Sequence, residues 1–162
     1  AGETKALTCV SNGALPYLLA FVAGWYDVVC FKQYKCYANM MTGNTLNLCF
    51  KVGSRETTDV VLLAGAIANF SCGFALFKCL DTKMRGHKSC TAAAPVVLGL
   101  FVLADACRKR FPRSRWPLLI LAVAGGMVNG ISTERAKLIT NMVSGHYQKL
   151  SGDLADYLCG GL

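Results

Sequence analysis

Apolar and polar positions follow one another along this chain in long blocks rather than short amphipathic periods. Ala6–Tyr26 carries no charge for 21 residues, Val60–Phe77 and Trp116–Thr133 for 18 each, and Ser89–Ala104 for 16. A helix that crosses the hydrocarbon of a bilayer needs roughly 20 mostly apolar residues. The blocks therefore predict four spanning helices, over about Ala14–Phe31, Val60–Phe77, Cys90–Cys107 and Trp116–Thr133. Buried core helices of a soluble globule would leave too few polar faces to cover the surface. Pro16, Pro95 and Pro117 fall near the starts of their blocks, where a proline forfeits little helix hydrogen bonding. Thr57 or Thr58 is expected to cap the second helix, with Asp59 near its positive end.

Cys36–Phe50 breaks this scheme. It is uncharged, yet it is only 15 residues long and holds Asn39, Asn44 and Asn47. It is too short and too polar for a lipid-facing span. It suits a re-entrant or protein-buried half-helix, because non-helical backbone at membrane depth survives only against protein or a wet cavity. Its centre, Asn39-Met40-Met41-Thr42-Gly43-Asn44, returns 102 residues later as Asn141-Met142-Val143-Ser144-Gly145-His146. Aligning 19–48 with 121–150 gives eight identities in thirty positions, with Asp27 opposite Asn129 and Thr42 opposite Ser144. Shared glycines and asparagines at a fixed offset mark an internal repeat. If the motif stretch dips in and returns, the two copies run in opposite directions; if it crosses fully, they run parallel. The expected fold is an all-α polytopic membrane bundle with an internal, preferably inverted, repeat and broken or re-entrant helices at the motifs. It forms one transmembrane domain over 1–162, with repeat one at about 14–107 and a partial repeat two at about 116–159.

Composition sharpens the class. Apolar residues make up 54% and charged residues 16% of 162, against about 25% charged in an ordinary soluble domain. The net charge of +8 sits in short connections: Lys78, Lys83, Arg85 and Lys88 in one, Arg108, Lys109, Arg110, Arg113 and Arg115 in another. That is juxtamembrane charge facing anionic lipid or a partner's acidic surface. No aromatic platform or recognition motif accompanies it, so nucleic acid is not an expected partner. Nine cysteines without CxxC spacing and two histidines fit neither a zinc site nor a disulfide framework. The chain starts at Ala1 without a methionine, which is read as a processed organellar protein.

The candidate chemistry gathers at the two motifs. Gly43 and Gly145 permit a helix break or a close crossing. Thr42, Asn44, Ser144 and His146 can hydrogen-bond exposed backbone or a polar ligand. With Asn39, Asn129 and Asn141 they would line a polar site between the repeats, if two breaks meet near the midplane; otherwise they only join helices. Asp27 is the one carboxylate adjoining an apolar run at depth. It could bind a cation or relay a proton, and pairing with Lys32 or Lys35 is slightly preferred. His146 is read as a hydrogen-bonding residue rather than a ligand for a metal or pigment. No catalytic residues and no metal site are expected.

Ala23-Gly24-Trp25-Tyr26-Asp27, followed by Met41-Thr42-Gly43-Asn44-Thr45, resembles the first signature of the YoaK-like family of multi-spanning membrane proteins. Gly126-Met127-Val128-Asn129, followed by Val143-Ser144-Gly145, resembles its second. The resemblance covers about 15–159 and implies a fold more than an activity. It also implies further spans after the second motif and threonines where this chain has Ser144 and His146.

Two functions follow as expectations. The first is a non-catalytic accessory or structural subunit of a larger organellar membrane complex. The plastid thylakoid is preferred to the mitochondrial inner membrane as its setting. Its partners would be membrane lipids and other membrane subunits. No cofactor would be intrinsic, and pigments (chlorophyll, carotenoid) would be bound only within a photosynthetic complex. The alternative is a small-solute or ion permease with a polar site between the repeats. A membrane enzyme lacks a nucleophile–base pair, a metal cluster or a phosphate loop.

Overall fold

The computed structural model describes residues 15–84, 88–135 and 145–160, and within these spans the side chains of Leu15, Pro16, Leu18, Leu19, Glu134, Arg135, 145–149 and 158–160 are not described. The described residues form six helices: α1 (Leu15–Tyr34), α2 (Met41–Gly53), α3 (Thr57–Met84), α4 (Lys88–Arg110), α5 (Pro117–Arg135) and α6 (Gly145–Gly160). No strand occurs among the described residues. α3 and α4 are long and apolar enough to cross a membrane; Pro117–Thr133 of α5 is a shorter apolar helical stretch. The described parts of the four uncharged blocks are helical, apart from Trp116 just before α5. Pro95 lies eight residues into α4, inside the helix rather than in its first turn. There it removes one interior backbone donor.

α3 is the central element, and α5 is its main partner. Both are thin where they meet. A β-carbon added at Gly73 would collide with the Val123 carbonyl, and one at Gly126 with the Phe70 carbonyl. Gly65 faces Leu119 and Gly130 faces the Phe77 ring. These pairs rise together along both helices, so α3 and α5 run parallel. Small residues let the backbones approach, and dispersion contacts along the seam then hold them.

The helix directions follow from a few bonds. Tyr26 of α1 donates to the Leu121 carbonyl at 2.8 Å, while Arg115, just before α5, reaches the Tyr34 carbonyl at the other end of α1. α1 is therefore antiparallel to α5. Lys51 near the end of α2 pairs with Asp59 in the first turn of α3 at 3.4 Å, so α2 runs against α3. In α6, Gly152 lies against Phe74 and Lys78, and Asp156 pairs with Lys78 at 2.6 Å. α6 thus packs on the second half of α3. The core divides accordingly. One cluster joins Cys30, Tyr34, Cys36, Met41, Leu63, Phe70 and Leu118; the other joins Phe77, Ala93, Val97, Ala124 and Met127.

Candidate functional site

The first motif is a break followed by a short helix. α1 ends at Tyr34, and Lys35 adopts φ 59°, the left-handed conformation that often ends a helix. Cys36–Met40 is non-helical, and α2 starts at Met41. Ala38 and Asn39 lie beside Gly125: a β-carbon there would sit 2.9 Å from the Ala38 carbonyl and 3.8 Å from Asn39 Cβ. Gly125 is eight residues, about 12 Å, into α5. From this depth α2 returns to the end it came from, because Lys51 and Asp59 stand with Arg115 and Tyr34. The 13 residues of α2 span about 20 Å.

Three side chains hold the break. Asp27, seven residues back along α1, accepts from the backbone N–H of Ala38 at 3.1 Å and of Asn39 at 2.8 Å through the same oxygen. Among the described residues its hydrogen-bond and ion-pair partners are amides, not lysines. The expected pairing with Lys32 or Lys35 is replaced because both lysines point outward and are exposed, while the carboxylate is buried. A buried anion has to be met by fixed donors, and two successive amides in an opened turn supply them. Asn44 acts as a second clasp. Its Oδ1 accepts from Tyr37 N–H at 2.9 Å and its Nδ2 donates to the Tyr37 carbonyl at 2.6 Å. Tyr37 therefore meets a side chain that imitates a neighbouring strand. Its ring stacks on Phe31 with centroids 4.8 Å apart and lies over Gly43, where a β-carbon would come within 2.7 Å. Gly43 is thus a close-approach glycine at the base of α2.

At the outer end of the break Arg115 is the keystone. Its guanidinium donates to the Tyr34 carbonyl through Nε at 3.0 Å and Nη2 at 2.6 Å, and to Asp59 through Nη1. One planar fork so ties the end of α1 to the starts of α3 and α5. Beside it, a hydrogen bond to Glu56 holds the Lys51 ammonium above its usual pKa. The basic connection was expected to face anionic lipid or a partner's acidic surface; of its five basic residues Arg115 instead turns to Tyr34 and Asp59, and the other four are exposed. Arg108 and Lys109 pair with Asp105 on their own helix.

The predicted site residues are thus placed as follows. Asp27 and Asn39 come together, and Gly43 and Asn44 lie one turn further on. Thr42 is half-buried at the start of α2. Asn129 is buried on α5, one turn beyond Gly125 and on the same helix face. Asn141 and Ser144 lie outside the described residues, as does the side chain of His146; Gly145 begins α6. A cavity of about 380 Å³ opens beside the break, lined chiefly by Val22, Trp25, Tyr26, Asn39, Phe101 and Val128. Asn39 is its one polar side chain from the predicted set; Asp27, Thr42 and Asn129 do not line it. Among the described residues no three of His, Cys, Asp and Glu converge on a point that could hold a metal.

Sequence reasoning missed Tyr37 and Arg115. The signal for Tyr37 was its place one residue after Cys36 and six before a glycine, which requires knowing that the chain folds back. Arg115 stood next to Trp116-Pro117, a helix start, and so was bound to face the beginning of another element.

No curated protein and no protein of solved structure matches this chain. A family model does match, over residues 15–161, which takes in all six helices and both motif copies. The chain belongs to the family described as "Protein of unknown function (DUF1275)".

Proposed function

We propose that this protein is a non-catalytic integral membrane subunit, and that the Asn-x-x-Thr-Gly stretch is a structural clasp rather than a transport site. The carrying observation is where the polar atoms of the break point. The oxygen of Asp27 and both polar atoms of Asn44 face backbone groups of Tyr37, Ala38 and Asn39, not the neighbouring cavity. Their geometry satisfies a helix break that would otherwise leave amides unpaired at depth.

The same reading treats 35–56 as a re-entrant hairpin and the chain as an inverted repeat of the YoaK-like kind. Two features support it. A shift of 102 residues carries α1 onto 117–136 and α2 onto 143–155, close to α5 and α6. The first matched pair, α1 and α5, also points in opposite directions. The exposed apolar side chains of α1 and α4, among them Phe21, Trp25, Leu98 and Val102, would face lipid or other subunits. The larger organellar complex expected from the sequence belongs to this proposal. Its test is whether the protein, solubilised gently from its native membrane, migrates with a larger assembly.

The permease reading keeps one observation in its favour, the cavity beside the break with Asn39 on its wall. Asp27→Asn separates the two. The amide keeps the accepting oxygen, so the clasp and any assembly should persist. Lost solute flux with assembly intact would overturn the structural reading; intact assembly and no flux at any stage would overturn the permease.

A further inference from the structure

We propose that the cleft between the start of α3 and the α4–α5 connection holds the phosphate headgroup of an anionic membrane lipid. The cleft measures about 250 Å³ and is lined by Thr58, Leu62, Arg113, Ser114, Arg115 and Trp116. Two guanidinium groups and two hydroxyls line it, and no carboxylate does. Arg115 is fixed by Tyr34 and Asp59. Arg113 is exposed and has no ion-pair partner among the described residues. Ser114 Oγ accepts from Trp116 N–H at 3.3 Å, which leaves its O–H as a donor. α3 and α5 both begin at this end, so their partial positive charges add to the field an anion meets.

The cleft is also graded. Leu62 lies one turn, about 6 Å, deeper along α3 than Thr58. Trp116 is 61% exposed at the start of α5, and Phe111 on the same connection is 59% exposed. A free phosphate would use only Arg113, Thr58 and Ser114 and leave the apolar floor unanswered. A phospholipid uses both ends: its phosphate meets the donors, and its chains run inward past Leu62 and the Trp116 ring, at the level where indoles settle in bilayers. The neighbouring cleft on the far side of Arg115 is a weaker anion site. Asp59 lines it, and its Lys51 is already paired with Glu56 and Asp59.

This inference rests on the membrane reading, and a carbonate wash of the native membrane tests that reading separately. The site is tested on the full chain purified in detergent, by following its thermal midpoint during titration with phosphatidylglycerol, phosphatidylcholine or sodium phosphate. Phosphatidylglycerol should raise the midpoint at lower concentration than phosphatidylcholine, and phosphate alone should not reproduce it. Arg113→Gln should weaken the phosphatidylglycerol response about fivefold and leave the phosphatidylcholine response unchanged. Arg110→Gln, outside the cleft, should stay within about twofold of the parent. Equal responses to the two lipids, or an unaltered response in Arg113→Gln, overturn the site even if the protein proves fully integral. Phosphate acting as well as phosphatidylglycerol overturns the lipid as its occupant.

Discussion

Asp27 shows how one residue can decide the path of a chain. Its carboxylate is buried within α1, where an ion without partners would cost several kcal/mol. Two amides of the segment that follows α1 meet it, so that segment must turn back along α1 instead of leaving. Asp27→Ala should therefore do more than remove a charge. It leaves the Ala38 and Asn39 amides without that acceptor, at a cost of about 1–3 kcal/mol for each buried group left unsatisfied. Thermal melting of the detergent-solubilised protein should show Asp27→Ala clearly less stable than Asp27→Asn. Asn44→Ala should fall in the same range, because it strips Tyr37 of both backbone partners. If Asp27→Ala melts with the parent, the clasp does not hold the break.

Between elements, the α3–α5 seam is the largest helix–helix contact among the described residues and depends on side chains that are missing. Gly73 and Gly126 sit where a β-carbon would enter the partner's backbone. A clash with backbone cannot be relieved by a rotamer change, so Gly73→Ala and Gly126→Ala should each destabilise by about 1–3 kcal/mol. Gly24 and Gly99 are helical too, but a β-carbon at either meets nothing within 4 Å. Alanine there should be neutral or stabilising by up to about 1 kcal/mol, since it lowers the entropy lost on forming a helix. The four variants, melted side by side, separate loss of close packing from helix propensity. Equal behaviour of the two pairs would contradict the seam.

For the whole molecule, the directions of the helices predict a topology. Lys35, Arg55 and Arg113 belong to one end of the bundle, with Thr82 at the other, since α3 runs between them. In a variant without native cysteines, single cysteines at 35, 55 and 113 should react with a membrane-impermeant maleimide from one side, and one at 82 from the other. A cysteine at 55 that labels from the side opposite 35 would mean that α2 crosses. The proposal of a re-entrant hairpin, and with it of an inverted repeat, would then fail.

Much of this was legible in the chain itself. The uncharged blocks of 16 and 18 residues lie, Trp116 apart, in α3, α4 and α5, because a long apolar segment satisfies its backbone internally. The first motif copy located the break before α2, the second copy up to Ser144 lies outside the described residues, and the glycines of α3 and α5 announced a close seam. The partners of the polar residues were not legible. Whether Asp27 met Lys32, Lys35 or a pair of amides depended on which way the chain left α1, and several residues beyond Tyr34 had to be placed first. Arg115 looked like one more surface charge in a basic run until Tyr34 and Asp59, 81 and 56 residues away in sequence, came within reach. Hydrophobic patterning is a local property that each segment carries alone. A hydrogen bond across the bundle belongs to no segment, and only the packing of α1, α2, α3 and α5 around one another brings its two halves together.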